Sequence, residues 1–234
     1  MKALKKTARL AGAGYLVIFI TGFFANFFVL EGLVVEGNAQ ATSENILANL
    51  MQFRWGIFAF LIMVVIDVLM AGPLYILLKP VNKNLSLLSA WLRLVNGTIF
   101  GVALYSLFGI LHLLSGAEYL TALEPAEIHA RVMLHLEAFN FIWLIGLVFF
   151  GLHLFLMGIL ILKSDYIPKI IGGLLQLAAV GYLTDSFAQF LLPDYKSVQH
   201  VFELVVLIPG VIGELSFTVW LLIKGAKTKN TTIK

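Results

Sequence analysis

The sequence predicts an all-α fold: a polytopic membrane helix bundle of six transmembrane helices. Two compositional observations point there. The chain of 234 residues is 60% hydrophobic and only 12% charged, about half the charged fraction of an ordinary soluble domain. Its mean hydropathy is +0.96. A third observation is the pattern: apolar residues come in long blocks instead of alternating with polar ones. No polar segment is long enough to bury a core of its own, so a single integral membrane domain over residues 1–234 is expected.

A helix needs roughly 20 apolar residues to cross the hydrocarbon. Six blocks meet this, at about 9–30, 55–78, 86–113, 132–162, 168–192 and 198–223. The opening MKALKKTARLAGAGYLVIFITGFF has a basic head like that of a signal peptide. Its apolar run is too long for one and no small-x-small cleavage site follows, so an uncleaved first span is expected. Lys2, Lys5, Lys6, Arg9, Lys79, Lys83, Lys163, Lys169, Lys224, Lys227, Lys229 and Lys234 fall on one side if both termini are cytoplasmic. The opposite connections carry Glu31, Glu36, Glu44, Glu118, Glu124, Glu127 and Asp194. This asymmetry predicts a multi-pass protein of the cell membrane with both termini cytoplasmic.

The same lysines account for the net charge of +3 and the pI of about 9.1. They sit beside apolar runs, so topology explains them and no nucleic-acid partner is expected. The chain has no cysteine, which excludes disulfides, thiolate nucleophiles, iron–sulfur ligation and c-type haem attachment.

Two outer connections carry helix starts. Ser43, ahead of Glu44 and Asn45, is the expected N-cap of a short amphipathic lead-in to span two. Pro125 after Glu124 suits the first turn of span four. From Ala126 to Leu162 that helix would run ~55 Å at ~1.5 Å per residue, so its outer end should project from the bilayer.

Three helix ends read alike: LYILLK to Lys79, GILILK to Lys163 and VWLLIK to Lys224. Three starts also resemble one another, at Arg9, Arg93 and Lys169, each followed by glycine at Gly12, Gly97 and Gly172. The intervals Arg9–Lys79 and Arg93–Lys163 are both seventy residues. Three tandem helical hairpins would produce this pattern. So would the general demand for Lys or Arg at every cytoplasmic span end.

The stretch MVVIDVLMAGPLY places Asp67 inside span two. Counting from the span ends puts Asp67 ~16 Å deep and Arg93 of span three ~12 Å deep. A short loop joins these spans, so they should be antiparallel neighbours and the two charges should pair. Either charge alone would cost ~3 kcal/mol on the insertion scale. Asn96 shares a face with Arg93, and His153, Gln176 and Glu214 reach similar depth. Gly72-Pro73 and Pro209-Gly210, with Gly213, are expected to interrupt spans two and six near the acids, as at binding sites of transporter-like folds. Glu214 then has no obvious base; protonation, His153 and Arg93 are its available partners. The competing reading is that the buried pair only sets helix register. Gly97 and Gly101 form a G-x-x-x-G face expected to pack against another span of the same chain.

A second polar layer near the outer boundary holds Asn26, Arg54, His112, His135, Glu137, Asn140, Asp185, Gln189, His200 and Glu203. His112, His135, Asp185, His200 and Glu203 are the candidate ligands of a metal ion. There is no H-E-x-x-H motif, and His135 and Glu137 point to nearly opposite faces, so the metal identity is left open. A b-type haem needs histidine pairs at matching depth, and the inner layer offers only His153. No span carries an interior lysine for retinal, and G-x-S-x-G, P-loop and dinucleotide-binding patterns are absent. No cofactor is expected.

The block FFGLHLFLMGILILKSDYIPKIIGGLLQLAAVGYLTDSFAQFLLPDY, residues 149–195, resembles a bacterial integral-membrane family, the domain-of-unknown-function 4386 family. So do ARLAGAGYL, LLKPVNKNLSLLSAWLRLVNG and GELSFTVWLLIKG, in the same order along the chain. The resemblance implies one helical membrane domain and brings no known activity, hence no catalytic residues. Asp67, Arg93, Gly151, His153, Tyr182, Asp185, Ser186, Pro193 and Glu214 lie inside family-like blocks. His112, His135 and His200 lie outside them.

The functional expectation is a small-solute or proton-coupled carrier, or a ligand-binding protein. Its buried polar site would comprise Asp67, Arg93, Asn96, His153, Gln176, Asp185 and Glu214. Membrane lipids, and a small molecule or a proton, are the expected partners. The alternatives are a non-catalytic structural or lipid- or partner-binding membrane protein and, with less support, an intramembrane metal-dependent enzyme.

Overall fold

The structure, a computed structural model, describes residues 2–223; the side chains of Lys2, Ala3 and Glu203 lie outside that description. Lys224, Lys227, Lys229 and Lys234 of the basic set also lie outside the described residues. Among the described residues, seven helices carry the chain: α1 (Lys2–Phe23), α2 (Ala39–Ala48), α3 (Leu50–Leu78), α4 (Lys83–Leu113), α5 (Pro125–Leu162), α6 (Lys169–Leu191) and α7 (Gln199–Ile223). A π-helical segment, Phe24–Leu30, extends α1, and the resulting apolar stretch Leu4–Leu33 is its candidate span. With α3, α4, α5, α6 and α7 it makes six helices long and apolar enough to cross a membrane. The protein is thus an all-α, multi-pass membrane bundle, and many of its large apolar side chains are exposed.

Two helix starts differ in outcome. Pro125 opens α5 as the first-turn position predicts. Ser43 does not cap α2: the helix begins four residues earlier, with Asn38 accepting from the Ala41 N–H at 2.9 Å. Ser43 is instead buried within the helix, its hydroxyl donating to the Ala39 carbonyl at 2.8 Å. Asn, like Ser, is a favoured cap, and it is Asn38 whose extended backbone precedes the first helical residue.

The expected interruptions do not occur. Both α3 and α7 run through their prolines, Pro73 and Pro209, as continuous helices. A proline removes one i→i−4 bond and crowds the preceding turn, yet a helix in lipid can absorb this because the alternative exposes more backbone.

The chain forms two compact units: Met1–Leu16 with Asp67–Gly97 and Ile145–Lys234, and Val17–Ile66 with Thr98–Leu144. In the second, Gln52 donates to the Phe28 carbonyl at 2.7 Å and Asn45 to that of Leu33 at 3.2 Å. These bonds satisfy carbonyls at the end of the first span. The centre of this unit is aromatic: Trp143 stacks on Phe100 with ring centroids 3.7 Å apart, flanked by Phe60 and Phe139. Gly101 faces Val64 of α3, the intrachain packing expected of its motif.

The first unit is held by close helix crossings. Gly158 of α5 and Gly172 of α6 meet so tightly that a Cβ on Gly158 would lie 2.9 Å from the Gly172 carbonyl oxygen. A Cβ on Gly172 would in turn lie 3.0 Å from the Gly158 oxygen. Small residues let backbones approach where no hydrophobic force drives helices together. Gly97 of α4 packs on Val68 of α3, and Gly181 of α6 on the Val205 carbonyl of α7. The α5–α6 connection is anchored by Tyr166, whose hydroxyl donates to the Leu77 carbonyl at 2.5 Å. Burial pushes the Tyr166 phenol up to about 12.

Candidate functional site

One face of α4 carries Ser86, Ser89, Arg93 and Asn96, spaced three or four residues apart, and all four are buried. Such a stripe is a single helical face. It projects into the first unit, where the Arg93 side chain is fully enclosed (0% exposed).

Asp67 of α3 answers it. Arg93 Nη2 donates to Asp67 Oδ1 at 2.5 Å, and Nε donates to the main-chain carbonyl of the same residue at 3.1 Å. Asn96 Nδ2 donates to Asp67 Oδ2 at 2.9 Å, so both carboxylate oxygens are engaged. The expected ion pair therefore exists, and charge-assisted bonds of this kind are the strong ones.

Two further helices complete the guanidinium shell. Nη1 donates to the Tyr15 hydroxyl of α1 at 3.1 Å and to Nε2 of His153 of α5, also at 3.1 Å. The Tyr15 hydroxyl in turn points to the Met157 sulfur at 3.9 Å. Its ring lies 5.0 Å below the guanidinium carbon, with that of Phe150 6.0 Å away, a geometry favourable to a cation. His153 Nδ1 lies 2.8 Å from the Ser89 carbonyl oxygen. A carbonyl only accepts, so the network assigns the ring proton to Nδ1 and leaves the Nε2 lone pair for arginine. Three helices thus converge on the one cation that α4 carries.

Glu214 of α7 is not bonded to His153. Its Oε1 accepts from the Tyr182 hydroxyl of α6 at 3.2 Å, and its carboxylate lies within electrostatic range of Arg93 and Asp67. The carboxyls of Asp67 and Glu214 thus outnumber the one guanidinium. One polar atom of the cluster is unanswered: Asn96 Oδ1 has no hydrogen-bond partner among the described residues.

Two expected site residues stand apart from the cluster. Gln176 packs its side chain over Gly158, where a Cβ would come within 2.5 Å of its Cγ. Asp185 accepts from Tyr195 at 2.5 Å and from Gln189 at 2.9 Å. Tyr15, Ser89 and Phe150 belong to the cluster without having been singled out from sequence. Ser89 was legible in the buried stripe of α4; Tyr15 and Phe150 carried no signal beyond their place in apolar helices.

Among the described residues, no three His, Asp or Glu side chains come together as a metal site requires. His112 contacts the Tyr119 hydroxyl, His135 lies over Gly109, Asp185 is taken by Tyr195 and Gln189, and His200 is exposed. The Glu203 side chain lies outside the described residues.

Fold and site together define a polytopic α-helical membrane protein with a buried charge network. The family model described as a domain of unknown function, DUF4386, matches residues 10–225, and the chain belongs to that family. It is also similar to an uncharacterized protein of Archaeoglobus fulgidus, 34% identical over 181 residues, covering 77% of this chain and 90% of the relative. No solved structure matches.

Proposed function

We propose that this protein is a proton-coupled carrier of a small solute in the cell membrane, with both termini cytoplasmic. The observation that carries the reading is the surplus acid. Asp67 and Arg93 neutralise each other, which leaves Glu214 with only a phenol bonded to it among the described residues. An ionisable group inside a membrane span is costly unless paired, and such groups mark proton and substrate paths. The unanswered Asn96 Oδ1 adds an acceptor to which a solute donor could bind.

A second reading has its own support. Four donations from Arg93 are taken up within the protein, to Asp67, Tyr15 and His153. A guanidinium so fully engaged can serve purely as a clasp between helices. In that reading the protein is a structural or lipid-binding component.

A thermal-shift screen of small solutes on purified protein, followed by pyranine-loaded liposomes, separates the two. A stabilising solute that acidifies the liposomes, with Glu214→Gln folded but inactive, supports the carrier. A folded wild-type protein that no solute stabilises, and that moves no protons, overturns it.

A further inference from the structure

The charges of the buried cluster leave one negative charge over. Asp67 and Glu214 are acids, Arg93 is the base between them, and the tautomer set by the Ser89 carbonyl keeps His153 neutral. A lone charge inside a span needs a counter-charge. Among the described residues, the groups that act on Glu214 supply none. The Tyr182 hydroxyl of α6 and the Tyr15 hydroxyl of α1 are phenols, and Asp67 of α3 repels it. Arg93 of α4 is already engaged with Asp67 and with His153 of α5.

The unused hydrogen-bonding capacity has the same sense. Asn96 is fully buried, and the bond from its Nδ2 to Asp67 holds its amide in the cluster. Its Oδ1, however, has no partner among the described residues. Glu214 accepts from Tyr182, whereas a carboxylate has room for about four such bonds. Most N–H groups of Arg93, by contrast, are taken up within the protein. The cluster thus lacks donors and one positive charge. The rings beside it suit a guest of that kind: Tyr182 meets Phe150 edge to face at 5.3 Å, and aromatic faces attract cations. Asp67, Arg93 and Asn96 are buried while Glu214 and Tyr182 are partly exposed, so Glu214 is the side that a guest can reach.

We infer, resting on the carrier reading, that the solute is a small organic cation of single charge with N–H donors, and that it and the proton take turns on Glu214. An anionic solute would deepen the charge deficit and a neutral one would leave it unchanged. A monovalent cation balances the cluster as a proton does, so the two compete and cross in exchange. For each cation that leaves, one proton enters and binds the Glu214 carboxylate, and no net charge crosses the membrane.

Guanidinium is the probe, because it keeps its charge near neutral pH and does not cross a bilayer as a free base. Full-length protein is reconstituted in pyranine-loaded liposomes containing guanidinium chloride, with potassium and valinomycin on both sides to clamp the potential. Dilution into guanidinium-free buffer at equal pH should acidify the lumen, and sodium chloride in its place should not. Titration calorimetry on the wild type should show guanidinium affinity falling by up to about tenfold per pH unit on acidification, as for two ligands of one site. Glu214→Gln should abolish both signals, and the wild-type readings need no variant to fold. Guanidinium binding that is absent or independent of pH overturns the inference, as does equal acidification by sodium. If inorganic phosphate or glycine moves protons where guanidinium does not, the carrier stands and the cation exchange is overturned. If no solute moves protons, the carrier reading falls and the exchange falls with it.

Discussion

Arg93 binds Asp67 twice, through the carboxylate and through the main-chain carbonyl of the same residue. A guanidinium has a planar fork of donors that lysine lacks. It can therefore join two helices through one side chain while the carboxylate stays free to accept from Asn96.

This relationship predicts an asymmetric mutational response. Arg93→Met leaves a buried carboxylate without its cation and should cost about 3–5 kcal/mol. Adding Asp67→Asn removes the stranded charge, keeps a partner for Asn96, and should restore at least half of that loss. Thermal unfolding in detergent measures both. If Arg93→Met costs no more than an exposed pair, about 1 kcal/mol or less, the buried pair is not holding the bundle together.

The glycines of α6 make a paired prediction. Gly172→Ala would drive a Cβ to 3.0 Å from the Gly158 carbonyl oxygen, so α5 and α6 must separate. A loss of about 1–3 kcal/mol is expected for such overpacking. A Cβ added at Gly173, its neighbour, would meet nothing within 4 Å. Gly173→Ala should be neutral or stabilise by up to about 1 kcal/mol through helix propensity. Comparable losses at the two positions would contradict the crossing.

Tyr166 gives a pH prediction outside the spans. Desolvation raises its phenol from the usual 10.0 to about 12, favouring the neutral form in the folded protein. The folded state therefore keeps its proton where the unfolded state releases it. The contribution is complete below pH 10 and is lost as pH rises through about 12. Unfolding midpoints of the wild type should fall over that window more steeply than those of Tyr166→Phe. The variant itself loses the bond to Leu77 and should be about 1 kcal/mol less stable at neutral pH. Parallel pH profiles would show that the phenol is not linked to folding.

Much of this arrangement could be read along the chain. The six spans are visible because lipid demands about 20 apolar residues in a row, and the helices match the expected blocks, the first four being longer and the last two slightly shorter than expected. The Asp67–Arg93 pair was legible from depth and adjacency, since two antiparallel helices joined by a short loop bring equal depths together. The cap at Asn38 was not, because Asn38 and Ser43 offer similar local chemistry and only docking of the turn selects between them. The expected breaks at Pro73 and Pro209 failed for a related reason: local propensity gives way where a membrane helix must keep its backbone bonded internally.

Composition and periodicity by themselves determined that this is a multi-pass helical protein and which charges needed partners. Only the tertiary structure decided who those partners are. Tyr15 and His153 meet Arg93 from separate helices, and Tyr182, rather than His153, takes Glu214. The physical reason is that hydropathy reports how deep a side chain lies, while helix rotation and the glycine-set crossings determine what it faces.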